Sequence, residues 1–283
     1  MVMILILAIL LRQVFKIIED MGTYTTTQLY NKINELSTQK EALRQVILSK
    51  GADVSTNDLL DDYPSIIDGI CGHPDIRLEY LQADETPNSL ARTSIYFDTG
   101  VVPEITSTSN TNFEICFKST YSFNGTSDAL YNLLGARSSA EMVLAVPCRL
   151  SSTNYGGRVN FAGSQNMLPG PDTNIHRLQT FAQANSVTVY YDGNKITRTA
   201  TVYTSLSHSF YIFASNNNGT AVNKAIKGTQ VYYLKIWNNT VLLRDYIPVL
   251  HWNGSQYVAC FYDRVNNNYI YNLGTGTLVY KIR

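Results

Sequence analysis

The sequence predicts a mainly β fold, a β-sandwich or jelly roll preceded by a short α-helical segment. Three observations predict it. Residues 231–276 read as β-rich runs at 231–237, 241–250 and 257–262, with Asn238-Asn239 and Asn253-Gly254 in the gaps between them. Asn and Gly tolerate the positive φ that short hairpin turns demand, while Val, Ile, Tyr and Trp suit a pleated, half-buried surface. From Ile76 onward the apolar pattern has period two and turn residues recur at short intervals, whereas helical periodicity is confined to the region before it.

The chain of 283 residues has room for one large β domain and an appendage. Residues 3–11 are apolar, and Arg12 and Lys16 follow before Glu19 and Asp20. That run is about half of what a membrane span needs, and it lacks the basic start and small-residue cleavage site of a secretory signal. Residues 1–20 are therefore expected either to precede a true start at Met21 or to form an amphipathic helix that packs on a partner. Residues 21–74 are the expected attachment segment. Thr25 to Thr27 offer N-caps and Gly51 a stop, so residues 24–51 read as a helix. Leu29, Ile33, Leu36, Leu43 and Ile47 form a heptad seam with Lys40 in the skipped place, which suits a short coiled coil. A second helical stretch is expected over residues 56–70, broken at Pro64, before the linker of Gly69, Gly72 and Pro74.

Residues 75–283 are the expected sandwich of about a dozen strands. Residues 94–97, 113–118, 158–161, 186–190 and 209–213 are strand-like. Asn124-Gly125, Tyr155-Gly156-Gly157, Asp192-Gly193-Asn194 and residues 216–219 read as turns. Residues 1–75 hold six basic against ten acidic side chains, and residues 76–283 sixteen against twelve. The scattered positive excess is too weak for a nucleic-acid footprint, so no nucleic-acid partner is expected. Cys71, Cys116, Cys148 and Cys260 show no metal-type spacing and are expected reduced.

Several landmarks occur in a fixed order: Tyr96-Phe97-Asp98-Thr99-Gly100-Val101-Val102-Pro103, the strand at 113–118, Leu134-Gly135-Ala136-Arg137 and Asp192-Gly193-Asn194. There follow residues 211–219, Leu234-Lys235-Ile236-Trp237-Asn238, Leu243-Arg244-Asp245-Tyr246-Ile247-Pro248, and Tyr262-Asp263-Arg264-Val265-Asn266 with Asn272-Leu273-Gly274-Thr275-Gly276. The series, over about residues 76–280, resembles the concanavalin A-like (laminin G-like) jelly-roll modules of bacteriophage and prophage tail and fibre proteins of gut bacteria. Residues 47–67 resemble the helical unit that precedes such modules. The resemblance implies a non-enzymatic virion protein, with self-association as a homotrimer, other virion proteins held through the N-terminal segment, and host-surface glycans as partners. A bacterial surface or secreted carbohydrate-binding module is the alternative.

Glycosidases share this general architecture, and they need two carboxylates about 5–9 Å apart across a sugar bond. On one strand these stand two residues apart, a spacing not found after residue 76, and no glutamate follows Glu141. The chain is therefore expected not to be an enzyme. His73, His176, His208 and His251 read as isolated, no metal or other cofactor is expected, and no acidic loop cluster supports calcium. Sugars are held by stacking on an aromatic ring while amides bond the hydroxyls. Tyr155, Asn216, Asn217, Asn218, Trp252, Asn253 and Asn267 fit that description. Asp98 is expected to close a turn. Arg244 and Asp245 point to opposite faces of one strand and need cross-strand partners, with Tyr262-Asp263 one source for Arg244.

Overall fold

The computed structural model describes residues 26–49, 74–84, 91–119, 130–138, 141–149, 155–161, 164–169, 172–183, 186–199 and 204–283. The chain divides into two compact units, Met1–Pro74 and Asp75–Arg283. In the first, helix α1 spans Thr26–Ser49. Glu41 accepts hydrogen bonds from Arg44 and Gln45, three and four residues on, the pairs that line a helix surface. Ile33 of the expected seam is 57% exposed. The other apolar seam side chains, residues 1–20 and the second helical stretch lie outside the described residues.

In the second unit twenty strands follow among the described residues, more than the dozen expected because seven are ladders of only two or three residues. They are β1 (Ile76–Ala83), β2 (Phe97–Asp98), β3 (Glu104–Ile105), β4 (Thr111–Lys118), β5 (Asn132–Arg137), β6 (Glu141–Arg149), β7 (Tyr155–Phe161) and β8 (Ser164–Leu168). Next come β9 (Ile175–Gln183), β10 (Ser186–Tyr191), β11 (Asn194–Thr199), β12 (Thr204–Ser205), β13 (Tyr211–Ile212), β14 (Ser215–Asn217) and β15 (Thr220–Val222). The chain closes with β16 (Gln230–Asn238), β17 (Val241–Trp252), β18 (Tyr257–Asp263), β19 (Asn268–Ile270) and β20 (Leu278–Ile282).

These strands build two large sheets. The ten-stranded sheet runs β11-β10-β9-β4-β16-β1-β17-β18-β19, with β20 beside β1. The eight-stranded sheet runs β15-β14-β5-β6-β7-β8, with β13 beside β5 and β2 beside β13. All pairings are antiparallel except β14 beside β5. The sheets face each other across one apolar core. Phe113 of β4 stacks on Phe161 of β7 at 6.0 Å, and Phe97 of β2 meets Phe261 of β18 edge-on at 5.0 Å. Each such fully buried ring contributes up to roughly 3 kcal/mol of hydrophobic stabilisation. The fold is thus an antiparallel β-sandwich.

Local chemistry explains the hairpins. Asp192 and Gly193 both have positive φ, as do Asn218 and Gly219, and each pair forms the two-residue turn whose twist matches its flanking strands. In β17, Pro248 sits where the neighbouring strand changes from β16 to β1, a gap in which a missing N–H costs least.

Two local expectations differ from the structure. Gly156 and Gly157 are not in a turn but in β7. A Cβ at Gly157 would sit 2.9 Å from Leu168 Cδ1 and 3.3 Å from Val146 Cγ2, so this glycine permits close side-chain packing. Residues 94–96 form no ladder. Leu273 N–H donates to the Tyr96 carbonyl, Asn272 Oδ1 accepts from Tyr96 N–H, and a Cβ at Gly274 would lie 1.7 Å from the Ser94 carbonyl oxygen.

Candidate functional site

Strict alternation along β9 and β10 sorts their side chains. His176, Leu178, Thr180 and Ala182 point inward with Val187, Val189 and Tyr191. Arg177, Gln179, Phe181, Thr188 and Tyr190 are left on the outer face. Register then aligns them across strands. Gln179 pairs with Tyr190 and Tyr190 with Lys195, while Phe181 pairs with Thr188. Phe181 is 45% exposed, and its ring meets Tyr190 edge-on at 5.7 Å and 87°. Gln179, Phe181, Thr188, Tyr190 and Lys195 line a shallow, open groove of about 340 Å³.

The groove is held from beneath. His176 Nδ1 lies 2.7 Å from Asp192 Oδ2 and its Nε2 lies 2.7 Å from Asp172 Oδ1, with the ring stacked on Tyr191 at 4.9 Å. Asp192 also accepts from Arg177 N–H and donates its own N–H to the Arg177 carbonyl, which fastens the β10–β11 turn to β9. The Asn174 N–H, followed by His176, holds the Asp172 carboxyl below its ordinary range. His176 is therefore not isolated, as first read from the sequence: Asp172 stands four residues upstream and Asp192 arrives through the fold. His251 likewise has Asp75 2.9 Å from Nδ1 and stacks on Tyr269 at 3.7 Å.

Next to the groove, Glu114 of β4 is buried and accepts from Arg177 and from the Tyr233 hydroxyl, both at 2.8 Å. Burial pushes its carboxyl up, but those two hydrogen bonds outweigh it and hold the group below its ordinary range. A glycosidase acid needs the opposite shift. Among the described residues, no group of three or more His, Cys, Asp or Glu is placed to hold a metal ion.

The seven residues singled out by sequence do not converge. The Tyr155 side chain lies outside those described. Asn216 is buried instead of facing solvent: its Oδ1 accepts from Gly219 N–H and its Nδ2 reaches Ser209 Oγ, so it caps the β14–β15 hairpin. Asn217 is half-buried and Asn218 occupies the turn with φ 52°. Trp252 is half-buried against Tyr257, edge-on at 5.4 Å. Asn253 Oδ1 accepts from Ser255 and Gln256 N–H groups and folds its own turn. Asn267 accepts from the Tyr262 hydroxyl. Trp252 and Asn267 flank opposite ends of β18, about 20 Å apart at the rise of a strand, too far for one sugar.

Asp98 accepts from Gly100 N–H at 2.8 Å and from Ser209 Oγ. Arg244 Nε lies 3.4 Å from Asp263 Oδ2, and Arg264 is 2.5 Å from Asp245 Oδ2. The groove itself was missed. Its signal was present in the alternation around Phe181, which leaves an aromatic ring on a polar face.

No protein-family profile and no curated protein matches the chain. Solved structures do. Domains LG4-5 of the mouse laminin alpha1 chain match with 12% identity and a TM-score of 0.37, over 59% of this chain and 44% of that one. A Bacteroides ovatus protein assigned to carbohydrate binding matches with 11% identity and a TM-score of 0.46, over 73% and 60%. The CBM2 module of the evolved Dit of Lactobacillus casei BL23 phage J-1 matches with 13% identity and a TM-score of 0.30, over 59% and 97%. The chain thus spans less than two thirds of the laminin and Bacteroides chains.

Proposed function

We propose that the chain is a non-enzymatic virion protein of a phage or prophage, of tail or fibre type. Its unit Asp75–Arg283 is a concanavalin A-like sandwich that recognises host-surface glycans. The observation that carries this reading is the outer-face groove of β9, β10 and β11, where exposed Phe181 and half-buried Tyr190 stand among Gln179, Thr188 and Lys195. A rigid aromatic surface covers the apolar face of a pyranose at little entropic cost, and amide and hydroxyl groups beside it bond the sugar hydroxyls. The ordered sequence landmarks over residues 76–280 support the virion assignment, and the seam of α1 supports self-association as a trimer.

The test is binding of the full-length protein to an array of bacterial surface polysaccharides, beside the F181A variant. Phe181 is half in solvent, so its removal leaves the core intact. F181A is expected to bind at least tenfold more weakly with an unchanged circular dichroism spectrum. Undiminished binding by F181A, or none by the wild type to any polysaccharide, overturns the reading. Light scattering of the full-length chain tests the trimer, which a monomer mass overturns.

A further inference from the structure

The class of sugar follows from the charges along one cross-strand row. On the outer face of the ten-stranded sheet, register sets Asp245 beside Lys235, Lys235 beside Glu114, Glu114 beside Gln179, Gln179 beside Tyr190 and Tyr190 beside Lys195. Charge alternates along the row, and the carboxylates in it are answered: Asp245 by Arg264, and Glu114 by Arg177 and Tyr233. Asp192, in the turn next to the groove, is taken up by His176 and by the backbone of Arg177. At the groove end the pattern breaks. Lys195 faces Tyr190 rather than a carboxylate, is exposed, and has no hydrogen-bond or ion-pair partner among the described residues. The groove therefore holds an aromatic surface, two neutral polar groups and one uncompensated cation.

We infer that the groove takes a pyranose that carries a carboxylate, as a hexuronic acid residue does. The ring lies on the Phe181–Tyr190 surface, Gln179 and Thr188 meet its hydroxyls, and Lys195 receives the carboxylate. This rests on the proposal that the groove binds glycan. A charge-assisted bond at a partly open site discriminates severalfold and weakens with salt. The same groove gives a carboxylate in the ligand a partner and gives an acidic ligand no carboxylate to repel it.

The experiment is calorimetric titration of the full-length protein with oligogalacturonate and with its fully methyl-esterified form, which keeps the ring and removes the charge. Wild type is expected to bind the acid about fivefold more tightly than the ester, and added salt should erase most of that preference. K195Q should bind both forms equally, K195E should prefer the ester, and F181A should lose both. Equal binding of acid and ester by wild type, or a preference kept in K195Q, overturns the inference. If F181A still loses binding in that case, the glycan site itself stands. Binding of both forms unchanged in F181A, or no binding by wild type, overturns the site and the inference together.

Discussion

Replacing Asp263 by alanine tests whether a buried carboxylate organises the β17–β18–β19 meander. Asp263 has no solvent exposure. Its Oδ1 accepts the N–H groups of Asp245 and Val265, both at 3.0 Å, and its Oδ2 accepts Asn266 Nδ2 at 2.7 Å with Arg244 Nε 3.4 Å away. Alanine leaves those donors facing an apolar methyl. Each buried donor left unpaired costs about 1–3 kcal/mol, and removing one partner of a buried ion pair costs about 3–5 kcal/mol in all. Because Arg244 is partly exposed and can turn to water, we expect a total of about 4 kcal/mol. With a urea slope of about 2 kcal/mol per molar, the unfolding midpoint drops by about 2 M. D263N keeps an oxygen for the two backbone donors but loses the charge facing Arg244, so it should drop by roughly half as much. The assay is urea unfolding followed by tryptophan fluorescence, which reports on Trp237 and Trp252 within the same sheet. A D263A shift under about 0.5 M, or equal shifts for D263A and D263N, refutes the reasoning, since either would mean the carboxylate carries little of the turn.

Three further outcomes follow from close packing and burial. In G274A the new Cβ falls 1.7 Å from a backbone oxygen that no side-chain rotation can move, and a loss of about 3 kcal/mol or more should lower the melting temperature by about 10 °C. G193A has open space but a φ of +82°, so it should lose only about 1 kcal/mol; equal melting temperatures for the two variants would contradict this. Burial pushes the thiol of Cys116 up to about 11 and that of Cys260 up to about 12, so both stay protonated at pH 8. Iodoacetamide should leave both unmodified in the folded protein and alkylate both in guanidinium, as peptide mass spectrometry will show. Burial also raises the phenols of Tyr191, Tyr233 and Tyr246, and pushes Tyr232 up to about 12. Above about pH 10 the unfolded chain gives up these protons while the folded chain keeps them. Stability is therefore complete below about pH 10 and falls between about pH 10 and 12, seen as a decreasing urea midpoint; a flat midpoint over that range contradicts it.

Features that depend on a few consecutive residues were legible in the chain. The turns at Asp192-Gly193 and Asn218-Gly219 and the alternation of β10 are local, because φ preferences and the period-two pleat act over neighbouring residues; the same alternation in β9 was present in the chain but went unread. Legibility failed where one residue type serves two ends. A glycine marks a turn or a close approach equally well, and only Leu168 and Val146, packed against Gly157, decide between them. Ser94 to Tyr96 look like a ladder strand, yet the chain at 272–274 crosses them through an asparagine side chain and a glycine contact.

By itself the sequence determined the β class, the two-residue turns at Asp192-Gly193 and Asn218-Gly219, and which side chains of a strand share a face. Only the tertiary structure decided which faces meet which neighbours. Asp192 reaches His176 because the β9–β10–β11 hairpins return the chain onto itself, opposite Asp172 only four residues upstream, and Phe181, Tyr190 and Lys195 share a groove through the same registers. It also separated Trp252 from Asn267 by the length of β18. The physical reason is that side-chain direction within a strand is set by local sterics, whereas the neighbour across a sheet is set by register. Register is chosen by the burial of a whole face at once, since a slip of one residue would turn that entire face to water.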